Sequence, residues 1–389
     1  MNERFGRVQG FKWLVWTVGC SVVLGWWGCS TEVDLTADYR SIPVVYGLLE
    51  MDADTQWVRI NRTWLGDGNQ LEAAQVRDSS EYPLGSLTVF MEELEPSSTG
   101  EISGNEEVVQ TWELVEVEVA NKEVNGIFYG PEQTLFAAVT SGDDALDENA
   151  WYRLHIVLPD GEEAWSVTKP IQSAGGVVNF PPANTPNVFQ MQFHNGTGFV
   201  PNVKFEWTSA PGASRYDGFM RVNFSEEYYA DEAQTTLDST KDRSLTIQFG
   251  TEIVTDDDGV QSLDLAISGE RFYTELASRL EANPRIRRVL GTVAPDESKE
   301  RAFDFVLQIA NRDLAVYLDV NEASNSIVQE RPLWTNIQGG IGLWGARSTL
   351  AVEGVGYQKL SMKYLQESDL TGGLNFCSPS EVSEFYCGN

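Results

Sequence analysis

The sequence predicts a mainly β chain, with an N-terminal β-sandwich followed by a second β-rich domain that carries one or two inserted helices. Three observations predict it. From Ile42 to about Ile171, apolar and polar residues alternate instead of recurring at helical spacing. Turn chemistry punctuates that stretch, as at Leu158-Pro159-Asp160-Gly161, where Pro presets one dihedral and Gly accepts a positive one. Helical periodicity is confined to short stretches near 269–283 and 313–320. A length of 389 residues suggests two or three domains, and 42% hydrophobic residues suffice for sizeable cores.

The N-terminal strands are expected over Ile42–Leu49, Gln56–Trp64, Leu87–Leu94, Val108–Val119, Thr134–Val139, Trp151–Leu158 and Ala164–Pro170. Seven short strands at such intervals suit an Ig-like or transthyretin-like β-sandwich over 42–175. Residues Glu95 to Glu107 read as a loop. Trp57, at an alternating strand position, reads as core, and so does Trp207.

The Gly175-Gly176 and Pro181-Pro182 clusters mark a domain boundary, with the second domain over 176–376. Val203, Phe205 and Trp207 share one face of a strand. An Ala210-Pro211-Gly212-Ala213 turn then leads into a strand from Tyr216 to Phe224, and this order resembles the fibronectin type III pattern over about twenty residues. Another strand spans Leu245–Val254. Ser268 is a good N-cap for a helix whose stripe is Phe272, Leu276 and Leu280, and Asn283-Pro284 stops it. Phe303, Phe305, Leu307 and Ile309 alternate as a strand. Asp313–Val320 reads as a short helix with Leu314, Tyr317 and Leu318 inward, and Leu350–Gly354 and Gln358–Tyr364 read as closing strands.

The termini speak to location. Arg4, Arg7 and Lys12 precede an uncharged apolar stretch from Trp13 to Gly28, the layout of a secretory signal peptide over 1–28. The stretch is too short for a membrane-spanning helix. It ends in Gly28-Cys29, which resembles a lipoprotein signal and makes Cys29 the expected lipidated residue. Cys20 is a competing site that would leave a very short apolar region. An acidic linker over 29–41 opens with Ser30-Thr31-Glu32-Val33-Asp34, similar to an export signal for the outer face of the outer membrane. At the other end, Cys377 and Cys387 form an even pair suited to a disulfide in an exported protein, closing a C-terminal loop over 377–389.

Composition excludes several functions. Acidic residues number 58 against 27 basic, for a net charge of −31. Loss of Arg4, Arg7, Lys12 and Glu3 with the signal peptide would remove a net +2 and leave −33. Such a surface repels phosphate backbones, so no nucleic-acid role is expected. With two histidines, histidine chemistry has little material: His155 reads as an outward strand residue and His194 as part of a turn. No nucleophile-elbow, zinc-protease or phosphate-loop motif occurs, and paired carboxylates arise by chance among 58 acids. Asp256-Asp257-Asp258-Gly259 lacks the ligand spacing of a calcium loop and reads as a hairpin turn. No catalytic residue, metal site or cofactor is expected. Trp334 and Trp344, flanking Gly339-Gly340-Ile341-Gly342, are the candidate partner contacts, although close backbone packing explains these glycines better.

Several short motifs occur together: Glu32-Val33-Asp34-Leu35, Ile60-Asn61-Arg62-Thr63, Leu158 to Gly161, Phe272 to Leu276, and Thr335-Asn336-Ile337-Gln338-Gly339-Gly340-Ile341-Gly342-Leu343-Trp344. In this order the chain resembles the uncharacterised outer-membrane surface lipoproteins of Bacteroidota, a domain of unknown function. It departs from them in having Trp344 where they carry Phe, and in its Cys377 to Cys387 segment. The resemblance implies a lipid-anchored protein of the outer membrane, at the cell surface or on the periplasmic face as the alternative. It also implies a gene often placed beside that of a TonB-dependent transporter. The expected function is non-enzymatic binding or an accessory role in outer-membrane transport. Adhesion or envelope assembly is the alternative, and a carboxylate-dependent hydrolase ranks last.

Overall fold

A computed structural model of the chain describes residues 40–65, 69–95, 102–123, 126–172, 176–182, 189–255, 259–293, 300–323 and 333–388. The expected signal peptide, Cys29, the acidic linker up to residue 39 and Asp256–Asp258 lie outside the described residues.

Alternation sets the N-terminal half. Strand β1 (Pro43–Leu49) buries Val45 and Leu49 and turns Tyr46 outward, and β2 (Thr55–Arg62) buries Gln56, Val58 and Ile60. Strands β3 (Thr88–Leu94), β4 (Val108–Ala120), β5 (Glu132–Val139), β6 (Trp151–Val157) and β7 (Glu163–Thr168) follow, each within about two residues of its expected ends. Two sheets result, β1-β2-β5-β4 and β4-β3-β6-β7, because β4 pairs with β3 through its first half and with β5 through its second. Met91, Leu114, Phe136, Leu154 and Ile156 fill the space between them. Gly161 takes a φ of +84° in the β6–β7 turn, where Leu158 N–H bonds to Glu162 O at 2.8 Å.

The second half is also layered. Strands β8 (Val177–Phe180), β10 (Val203–Thr208) and β13 (Ser262–Ile267) form one sheet. It faces β11 (Arg215–Tyr229), β12 (Leu237–Ile253), β14 (Ile286–Leu290), β17 (Phe303–Ala310) and β18 (Ile341–Tyr357). Phe205 stacks on Phe305 at 5.4 Å and Trp207 lies 5.3 Å from Tyr216, contacts worth about 1 kcal/mol each beyond burial. Short strands β9 (Gln190–Met191), β15 (Thr292–Val293), β16 (Glu300–Arg301) and β19 (Phe376–Cys377) complete the ladders. Multiple sheets with few helices fit a mainly β, sandwich-type architecture.

Helices α1 (Gln70–Ala74) and α2 (Arg77–Ser80) sit between β2 and β3. Helix α3 (Gly269–Arg279) starts at its Ser268 cap and buries Phe272 and Leu276, with Leu280 also buried just beyond its end. Helix α4 (Arg312–Ala323) contains the expected 313–320 segment, with Ala315 as its buried residue and Leu314, Tyr317 and Leu318 half-buried. The segment expected as a strand over 358–364 is instead helix α5 (Lys359–Glu367). The Gln358 side chain accepts from Leu360 N and Ser361 N as an N-cap, and Met362 and Leu365 are buried at helical spacing.

The expected boundary at 175/176 does not separate two bodies, since Ser41–Asn389 forms one compact unit. The reason is β18. Its residues 341–346 pair in parallel with β1, and residues 347–355 pair with β17. Just before it, Gln338 and Trp165 exchange backbone hydrogen bonds of 3.0 and 2.8 Å, so residues 338–346 close the N-terminal sandwich between β7 and β1. Glycines permit this closure: a Cβ on Gly342, at φ +119°, would lie 1.9 Å from Val45 O, and one on Gly339, at φ +71°, 2.3 Å from Glu163 O. Trp344 is fully buried in the same seam, so it cannot serve as the partner contact expected of it. Cys377 and Cys387 are joined as a disulfide, at the edge where β19 pairs with β14.

Candidate functional site

The outward face of β1-β2-β5-β4 carries an unusual set of side chains. Trp57 is 43% exposed, not core as its alternation suggested. The inward place belongs to its neighbour Gln56, which bonds to Glu50 N, Glu50 O, Ala53 O and Thr140 Oγ1, so a polar residue occupies the core position at no hydrogen-bonding cost. This one-residue choice sends Trp57 and Arg59 to the outside, about 7 Å apart along the strand.

Cross-strand register assembles the rest. Tyr46 lies opposite Arg59, whose guanidinium carbon stands 5.5 Å from the Tyr46 ring centroid. Trp57 lies opposite Ala137, which lies opposite the exposed Val115. Helix α4 brings Tyr317 edge-on to Tyr46 at 6.1 Å, and Trp334 packs edge-on to Tyr317 at 6.4 Å. Of the two tryptophans expected as contacts, only the half-exposed Trp334 therefore adjoins an open face. Burial, with a hydrogen bond to Tyr46, pushes the Tyr317 hydroxyl up to about 12, so it stays protonated.

Two depressions meet at Tyr46. One, of about 340 Å³, is lined by Leu48, Trp57, Leu314, Tyr317 and the ion pair of Glu50 with Arg347, 2.5 Å apart. The other, of about 830 Å³, is lined by Val44, Arg59, Arg62, Lys122, Phe128 and Tyr129, among others. Lys122 is bound to Glu81 at 3.0 Å. Burial alone would raise the Glu81 carboxyl, but hydrogen bonds from Lys122 and Arg77 hold it below its ordinary value. Arg62 donates to Asp78 O and lies over the Tyr82 ring. Among the described residues, neither Arg59 nor Arg62 has a carboxylate within ion-pair distance.

A separate cleft of about 620 Å³ near α4 is lined by Lys169, Arg312, Asp313 and Asp319. Burial raises the Asp313 carboxyl, which accepts from Thr168 Oγ1 at 3.0 Å. Asp319 is bound to the buried Arg215 at 2.6 Å. Both carboxylates thus tie α4 to its neighbours. His155 lies on the outer face of β6, with Nε2 3.4 Å from Glu163, and His194 sits in a turn where Gly196 N donates to its Nδ1 at 3.1 Å. Among the described residues, no group of three or more His, Cys, Asp or Glu is arranged to hold a metal ion. No described helix is long and apolar enough to cross a membrane.

Neither a family model nor a curated protein matches this chain.

Proposed function

We propose that the chain is a non-enzymatic surface lipoprotein that captures a saccharide on the outward face of its N-terminal sandwich and serves as an accessory to an outer-membrane transporter. One observation carries the saccharide reading: Tyr46, Trp57 and Tyr317 line two adjoining depressions as a partly exposed aromatic series, which Trp334 extends from outside them by packing on Tyr317. Flat aromatic faces offer apolar contact to pyranose C–H surfaces while polar neighbours orient hydroxyls. The location rests on the signal-like segment before Cys29 and the acidic residues after it. On the same reading, the N-terminal sandwich is Ig-like or transthyretin-like and the second half fibronectin III-like.

Affinity electrophoresis against a panel of soluble polysaccharides tests the binding role. Retardation by at least one polysaccharide, lost in Trp57→Ala and Tyr46→Ala variants of unchanged melting temperature, is expected. Retardation by none counts against it. Co-purification from outer membranes in mild detergent tests the accessory role, which fails if no β-barrel protein accompanies the chain.

A further inference from the structure

We propose that the ligand is an acidic oligosaccharide, with Arg59 and Arg62 taking its carboxylates while sugar rings stack on Tyr46 and Trp57; this deepens, and rests on, the saccharide reading of this face. The first ground is charge. In a chain of net −31, the larger depression is lined, among the described residues, by Arg59, Arg62 and Lys122 against a single carboxylate, Glu123. Lys122 is neutralised by Glu81, but the two guanidiniums have no carboxylate partner among the described residues. Cations set in a concave surface focus their field into it, and elsewhere the net charge repels anions, so an acidic ligand is directed here.

The second ground is geometry. Stacking on Tyr46 holds Arg59 over the seam between the depressions, and a guanidinium so held keeps its N–H edge for a carboxylate in two-pronged contact. Trp57, two residues away on the same face, lies at a spacing of about 7 Å, the scale of neighbouring sugar units in a chain. The third ground disfavours an acidic peptide. Strand β1 is paired with β2 and β18, and β2 with β1 on one side and with β5 and a bridge to Glu81 on the other. The floor of the groove therefore presents side chains and not the open strand edge that extended peptides use.

Calorimetric titration of the intact chain with short oligogalacturonate and oligomannuronate, the methyl ester of each, and neutral oligosaccharides of equal length tests the proposal. At least one free acid should bind, weaken with added salt, and exceed its ester by tenfold or more, the scale of a lost charge-assisted hydrogen bond. Arg59→Gln should cut that difference at least threefold, leaving the share that Arg62 supplies, without altering the melting temperature, as Arg59 is exposed. Esters or neutral sugars binding as tightly as the acids would overturn the acidic class and leave the saccharide reading intact. Binding by none of these sugars, or by an oligoglutamate peptide alone, overturns both.

Discussion

The indole Nε1 of Trp344 donates to the backbone carbonyl of Tyr152 at 3.0 Å, across 192 residues of chain. The ring lies against Gly47, where an added Cβ would sit 2.7 Å from the indole, so a C-terminal side chain completes the N-terminal core. Trp344→Ala should cost about 3 to 5 kcal/mol through the cavity it leaves. In urea, the variant should unfold in one transition at lower midpoint. A fragment over 42–175, lacking β18 and this ring, should fail to give dispersed amide resonances.

The same closure makes one glycine far more demanding than another. Gly342 combines φ +119° with a Cβ position 1.9 Å from Val45 O, whereas Gly198 has ordinary φ and open space around it. Gly342→Ala should destabilise by roughly 2 to 3 kcal/mol or more, since both the backbone region and the contact are forbidden. Gly198→Ala should be neutral or stabilise by a few tenths of a kcal/mol. Thermal melts of the two variants side by side check the contrast.

Period-2 alternation made the seven N-terminal strands legible, and local capping made Ser268 and its helix legible, because each signal lies within about ten residues. The single body was not legible, because it depends on β18 meeting β1 in parallel, a pairing between segments about 300 residues apart that leaves no local trace. The glycines at 339 and 342 pointed to close backbone approach without naming Val45 as the neighbour. The candidate site escaped for a subtler reason. Alternation alone cannot decide which of Gln56 and Trp57 faces inward, and the polar residue won because Thr140 and the Glu50 turn satisfy its amide. Trp344 and Trp334 look alike in sequence, yet one fills the seam and the other flanks the open face.

Membrane attachment provides an independent check on the ends of the chain. If Cys29 carries the lipid, Cys29→Ala should move most of the protein from the membrane pellet to the soluble fraction, while Cys20→Ala should not. Intact mass of the detergent-extracted protein should correspond to a chain beginning at residue 29 plus acyl groups. Retention of Cys29→Ala in membranes would sink the lipid-anchor proposal.

Two carboxyls, the buried Glu226 and the half-buried Asp313, should give the stability curve opposite slopes. Glu226 is 3% exposed and bound to Arg288, itself 1% exposed, at 3.0 Å, and Arg288 also donates to Leu374 O and Glu281 O. Burial alone would raise the Glu226 carboxyl, but the Tyr228 hydroxyl and the Arg288 charge hold it below its ordinary 4.5. Its contribution is therefore present above pH 4.5 and lost as pH falls through the lower folded value. Asp313 is raised by burial above its ordinary 3.8, so its favourable contribution is present below 3.8 and lost as pH rises through the folded value. Asp313→Asn should therefore melt at or above the wild-type temperature at pH 7, with its advantage shrinking as pH falls toward 3.8. Arg288→Ala should cost about 2 to 4 kcal/mol at pH 7, because it leaves the buried carboxylate with only the Tyr228 hydroxyl and the more distant Arg243, 3.6 Å away. That deficit should narrow in acid, where Glu226 can protonate. Melting curves of the three proteins from pH 3 to 8 decide the matter: parallel profiles would mean that neither carboxyl differs between its folded and unfolded states as argued.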